Sequence, residues 1–163
     1  MKRSLPIFFF LLIAFQLAKA QADIKSLIKV YNSNSLHEAF STLSTFKNFT
    51  GEITIDPLKK DSVIAGTFEG DSMTVNWRKD KANINLVTSQ RSIFQNIKDQ
   101  ADSKLFLQAS YARSTREVAR QVYSYSNKTK IQLGELSFIL AECTNRSTKA
   151  IYYEVQLITF PQD

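Results

Sequence analysis

At Gly51 the spacing of apolar residues changes period, and that change limits the possible folds more than any other feature of the chain. Before it, Ile24, Leu27, Ile28 and Tyr31 follow Asp23 at the spacing of one helical face, with Asp23 as N-cap. Asn32-Ser33-Asn34 interrupts that face, and Ser35-x-x-Glu38 reads as a capping box opening a second helix with Leu36, Phe40 and Leu43 inward. Beyond Gly51, Ile53 and Ile55, then Ile64 and Phe68, then Met73, Val75 and Trp77, then Ala82, Ile84 and Leu86 alternate with polar or small residues. The joints around Pro57, at Gly70-Asp71 and from Arg78 to Lys81 are short and rich in turn formers, so this half predicts four antiparallel strands in a meander.

The second half reads less evenly. Ile93, Ile97 and Ala101 predict a helix after Ser89, while Leu105, Leu107, Ala109 and Tyr111 fit either a strand or a continued helix. Ser114-x-x-Glu117 reads as another capping box, starting a helix with Val118, Val122 and Tyr125 on one face and ending near Asn127. Ile131 to Cys143 and Ile151 to Phe160 read as a hairpin, with a bulge at Gly134 and residues 138–141 apolar toward both sides. With no sequence repeat, low-complexity tract or linker, the expected fold class is α+β: an antiparallel β-meander plus a C-terminal β-hairpin, packed with amphipathic helices.

Lys2 and Arg3, the apolar run LPIFFFLLIAF from Leu5 to Phe15, and Ala18-Lys19-Ala20 form the three parts of a secretory signal peptide cleaved after Ala20. The run is too short to span a bilayer, which takes about 20 apolar residues, so no stable membrane span is expected after cleavage. The expected organisation is a signal peptide at 1–20 and a single α+β domain at 21–163. The leader holds three of the 21 basic residues and no acid, so its removal takes the net charge from +6 to +3. Much of the basicity therefore belongs to targeting, and a nucleic-acid partner is not expected. Cys143 is the only cysteine, so an exported domain must hold together without an intrachain disulfide, and burial as a small apolar residue is its expected role.

Catalytic, cofactor and metal sites need convergent groups, and none is indicated. His37 lies in the first turn of the second helix, where the dipole disfavours its charged form, and Cys143 has no third group to complete a nucleophilic site with it. Glu52, Asp56, Glu69 and Asp71 lack calcium-loop spacing and read as strand-edge and turn residues. No phosphate-binding glycine loop occurs. Arg113, Arg116 and Arg120 are the candidate anion-binding residues, read as one face around the start of the helix expected after Ser114; a solvated helix face is the plainer reading. Asn48, Asn127 and Asn145 begin N-x-[ST] sequons and are candidate glycosylation positions.

The triplets Asp61-Ser62-Val63 and Asp71-Ser72-Met73 read as turn chemistry at two strand entries. They also resemble the D-[ST]-apolar acceptor consensus of periplasmic O-glycosylation in some Gram-negative bacteria, which implies Ser62 and Ser72 as glycan positions. The succession LHEAFSTL, GEITID, SVIAGTFEG, SMTVNW and ANINLVT over residues 35–88 is similar to small exported bacterial domains with a TBP-like fold, and that resemblance implies no catalytic residue. A helix-capped, one-face-apolar meander also resembles the periplasmic lipoprotein-carrier family. The expected function is that of an exported, non-enzymatic envelope or secreted protein acting as a binding module for a protein, glycan or apolar ligand. The alternative is a periplasmic carrier of lipid or another apolar ligand.

Overall fold

The computed structural model describes residues 23–46, 48–55, 62–68, 70–78, 81–127 and 135–159. The expected leader, the Pro57 connection and Gly134 lie outside the described residues. The elements are α1 (Ile24–Tyr31), α2 (Leu36–Leu43), β1 (Phe49–Ile55), β2 (Ser62–Phe68), β3 (Asp71–Arg78), β4 (Lys81–Thr88), α3 (Arg91–Lys104), β5 (Phe106–Ser114), β6 (Val118–Ser126), β7 (Leu136–Asn145) and β8 (Ile151–Thr159). The strands form one eight-stranded sheet in the order β1-β2-β3-β4-β8-β7-β6-β5, antiparallel throughout. This is α+β architecture dominated by sheet.

Both N-terminal helices start where their caps place them. Asp23 accepts from the Ser26 amide at 2.6 Å, and Ser35 accepts from the Glu38 amide at 3.2 Å while Glu38 reaches back to the Asn34 amide at 2.8 Å. Their apolar stripes, with that of α3, cover one sheet face. Leu27, Leu43, Phe94 and Ile97 bury there against Ile64, Met73, Val75, Leu86, Leu140, Val155 and Leu157. Phe94 stacks on Tyr153 at 4.7 Å between centroids, and Phe46 meets Phe68 edge-on at 6.0 Å.

The chain repeats a topological unit that its residues do not announce: a helix, then four meandering strands, first α2 with β1–β4 and then α3 with β5–β8. The two units join through their last strands, β4 against β8, with Leu86 opposite Val155. The C-terminal hairpin expected from the sequence is therefore half of a second meander.

The expected helix after Ser114 does not form. Thr115 instead closes a tight turn, its amide donating to the Val118 carbonyl at 2.8 Å and its hydroxyl accepting from the Val118 amide at 3.0 Å, and β6 begins. A separation of four residues is close to a helical turn and is also an even number, so Val118 and Val122 share a strand face as readily as a helix face. Tyr125, an odd step away from Val122, turns to the other side of the sheet and enters the main core. The ambiguous run after Leu105 is strand β5, with an irregularity between Leu107 and Ala109. Ile53 and Ile55 point to the helix side of β1, yet they are 36% and 70% exposed, because the strand meets α2 at its start, where Phe49 packs edge-on against Phe40 at 6.3 Å, and these two lie toward its other end.

Candidate functional site on the open sheet face

The three described helices occupy one side of the sheet, so the candidate surface is the other, open in that no described helix packs on it. Strand alternation sends Arg120 and Val122 of β6, Ser137, Ile139, Ala141 and Cys143 of β7, and Tyr152 and Glu154 of β8 to that open face. Val122, Ala141 and Cys143 form a second apolar cluster there, with Val118, Ile139 and Tyr152 packed against it. The register sets Arg113, Arg120, Cys143 and Tyr152 side by side on four successive strands.

Arg120 Nη2 lies 3.3 Å from Glu154 Oε1, an ion pair that runs from β6 to β8 across β7. With 29% and 17% of their side-chain surfaces exposed, the pair is partly withdrawn from water. Desolvation acts to lower the Arg120 pKa, but the Glu154 carboxylate outweighs it and holds the guanidinium charge more firmly than usual. Cys143 lies beside this bridge, fully buried although none of the described helices packs on its side of the sheet. Burial pushes its thiol pKa up and Glu154 adds to the effect, while Arg120 and Tyr152 pull the other way without prevailing. The thiol is therefore kept protonated, the opposite of an activated nucleophile. Tyr152 is likewise pushed up, first by burial and then by Cys143 and Glu154.

Three buried side-chain polar atoms among the described residues have no hydrogen-bond partner: Arg120 Nε, Asn85 Oδ1 and Ser137 Oγ. All three belong to the open face, since Asn85 alternates with the core residues Ile84 and Leu86, and Ser137 precedes the core residue Phe138. Unsatisfied buried polar atoms are few in native proteins. Their gathering on one side of a single sheet sets that side apart from the one on which the described helices pack.

The arginines read from the sequence are redistributed by the hairpin. Arg113 and Arg120 are direct cross-strand partners on the open face, and Arg116 sits exposed in the turn between β5 and β6. The expected helix stripe is thus corrected to a strand pair plus a turn residue, because the chain reverses at Thr115. Among the described residues Arg113 has no carboxylate partner.

His37 is exposed on α2, on the helix side, whereas Cys143 is buried on the open side, so the two are not brought together. Asp71 is a structural carboxylate. It accepts from Thr88 Oγ1 at 2.5 Å, Gln90 Nε2 at 3.0 Å, the Ser89 amide at 3.1 Å and Ser89 Oγ at 3.3 Å, tying the start of β3 to the entry of α3. Glu52 is exposed on edge strand β1, and Asp56 and Glu69 lie outside the described residues. Among the described residues no group of three or more His, Cys, Asp or Glu is placed to hold a metal ion.

Ser72 is exposed in β3 and Ser62 half-buried at the start of β2. Asn48 is exposed with φ of 57°, and Asn127 is exposed just after β6. Asn145 uses its side-chain oxygen to accept from the Ser147 and Thr148 amides, both at 3.0 Å, inside the β7–β8 turn. The open-face cluster itself was missed by the sequence reading. Its one available signal was the doubly apolar run 138–141, whose Ala141 is buried on the open side while Phe138 and Leu140 are buried under the helices.

Among the described residues no helix is long and apolar enough to cross a membrane. Comparison of the chain with family models, with curated proteins and with solved structures found no match.

Proposed function

We propose that the protein is an exported, non-enzymatic binding module whose contact surface is the open face of the sheet over β6–β8. The observation that carries this reading is a partly exposed arginine–glutamate pair beside an apolar cluster on that face, where the three unpartnered buried polar atoms found among the described residues also lie. Those atoms are themselves withdrawn from solvent, so a partner would rest on the partly exposed side chains around them, and aromatic and arginine side chains such as Tyr152 and Arg120 are the types that dominate binding energy at interfaces. The protonated, covered thiol and the distant histidine support a binding role over a catalytic one.

The carrier alternative would lodge an apolar ligand between helices and sheet. Leu27, Ala39, Leu43, Ile97 and Ala101, all fully buried, already occupy that layer with the protein's own side chains, which is why binding at the open face is preferred.

Replacing Tyr152 with a photo-crosslinking amino acid in the exported protein tests the proposal, with the exposed His37 on α2 as the control position. A discrete product at Tyr152 that Arg120→Ala removes, and none at His37, is the expected result. Absence of a product at Tyr152, or equal products at both positions, overturns it.

A further inference from the structure

Among the described residues the sheet ends in two edge strands, β1 and β5, and their charges differ in sign. Seven successive antiparallel pairings separate β1 from β5, so the two edge strands run in opposite directions within one sheet. A second copy set beside the first, with its helices on the same side, therefore brings its β1 antiparallel to β5 of its neighbour and continues the alternation of strands. Glu52 is the one charged residue of β1 and Arg113 the one charged residue of β5, both on the open face, both exposed, and neither with an ion-pair partner among the described residues.

We propose that the protein associates with itself head to tail, β5 of one copy adding to β1 of the next with Arg113 opposite Glu52. That register also places Tyr111 opposite Thr54, Ala112 opposite Ile53 and Ser110 opposite Ile55. Every pair then joins residues of the same face, and Ile53 and Ile55, now 36% and 70% exposed, gain neighbours. The pairing uses the part of β5 beyond the irregularity at Leu107/Ala109, where the ladder is regular.

A single charge on an edge strand ordinarily discourages pairing. Here it discourages like edges and favours unlike ones. Full overlap of β1 with a second β1 sets Glu52 against Glu52, and β5 offers no carboxylate to a second Arg113. A head-to-tail contact repeats without closing unless the rotation between copies happens to return on itself, so the product is a filament or a ring. This contact uses strand edges, and it stands independently of whether the open face of β6–β8 receives another partner.

Charge exchange in the full exported chain supplies the test, read by sedimentation velocity and negative-stain electron microscopy over a range of concentrations. Wild-type protein is expected to form species larger than a dimer that shrink as salt is raised. Glu52→Arg and Arg113→Glu should each raise the concentration needed for assembly by about tenfold, since each turns an attractive cross-strand pair into a repulsive one, and the double variant should restore assembly. Circular dichroism of each variant establishes that the fold is kept. A wild-type protein that stays monomeric, a closed dimer, or single variants that assemble like the wild type overturns the proposal.

Discussion

Tyr125, fully buried on β6, donates a 2.6 Å hydrogen bond to Asp102 near the end of α3, and the same carboxylate takes a 2.7 Å ion pair from Lys98 one helical turn earlier. Lys98 in turn lies 4.7 Å from the ring centroid of Tyr123. These contacts lock the second helix–meander unit together. Burial acts to raise the Asp102 carboxyl, but the hydrogen bonds from Lys98 and Tyr125 outweigh it and leave the group below its ordinary value. Burial, and then Asp102, push the Tyr125 hydroxyl well above its own.

The pH dependence follows from the depressed carboxyl. Its contribution to stability is complete above the unfolded pKa of about 4 and is lost as pH falls through the lower folded value. Urea midpoints measured between pH 6 and pH 2 should fall on the acid side, and Tyr125→Phe should flatten that fall. Because Asp102 keeps 46% of its side-chain surface exposed, Tyr125→Phe is expected to cost only about 1–2 kcal/mol at pH 7. An unchanged midpoint would remove this contact from the account of stability.

Gly51 and Gly66 are direct partners on β1 and β2, with the Phe49 ring against both. A Cβ on Gly66 would press into the Thr50 carbonyl and come within 2.9 Å of the Phe49 ring. Gly66→Ala should therefore lose about 1–3 kcal/mol by overpacking, read as a lower denaturation midpoint, although the backbone there is ordinary strand.

Asp71 gathers four hydrogen bonds from the Thr88–Gln90 segment. Asp71→Ala strands those donors and is expected to destabilise by about 1–3 kcal/mol, with Asp71→Asn intermediate, by thermal unfolding. Ser72→Ala, altering an exposed strand residue, should fall within about 0.5 kcal/mol of wild type.

Cys143 should react slowly with a maleimide at neutral pH, being buried and held protonated. Glu154→Gln removes the carboxylate that raises the thiol and loosens the Arg120 bridge beside it, so labelling of the folded protein should accelerate. A wild-type rate equal to that of the unfolded chain would show that the bridge does not shield the thiol.

Local chemistry explains which parts of this fold could be read in advance. Asp23 and Ser35 cap helices through amides only three residues away, and Met73-Val75 and Ile84-Leu86 alternate strictly, so each feature is determined within a few neighbours. The stretch after Ser114 misled because Ser-x-x-Glu with apolar residues four apart suits both a helix and a strand face. The choice falls to β7, which offers Val122 the partner Ala141 and Tyr125 the partner Phe138.

The sequence by itself determined the α+β composition, the first meander and the burial of Cys143, because period, caps and turn residues act over short distances. Only the tertiary structure decided that β4 pairs with β8, joining the two units in one sheet, and that Arg113 faces Arg120 while Arg120 reaches Glu154 across β7. Those relationships depend on strand order and register. They join residues up to some 70 positions apart, and no local propensity distinguishes one long-range strand pairing from another until the core under the helices selects it.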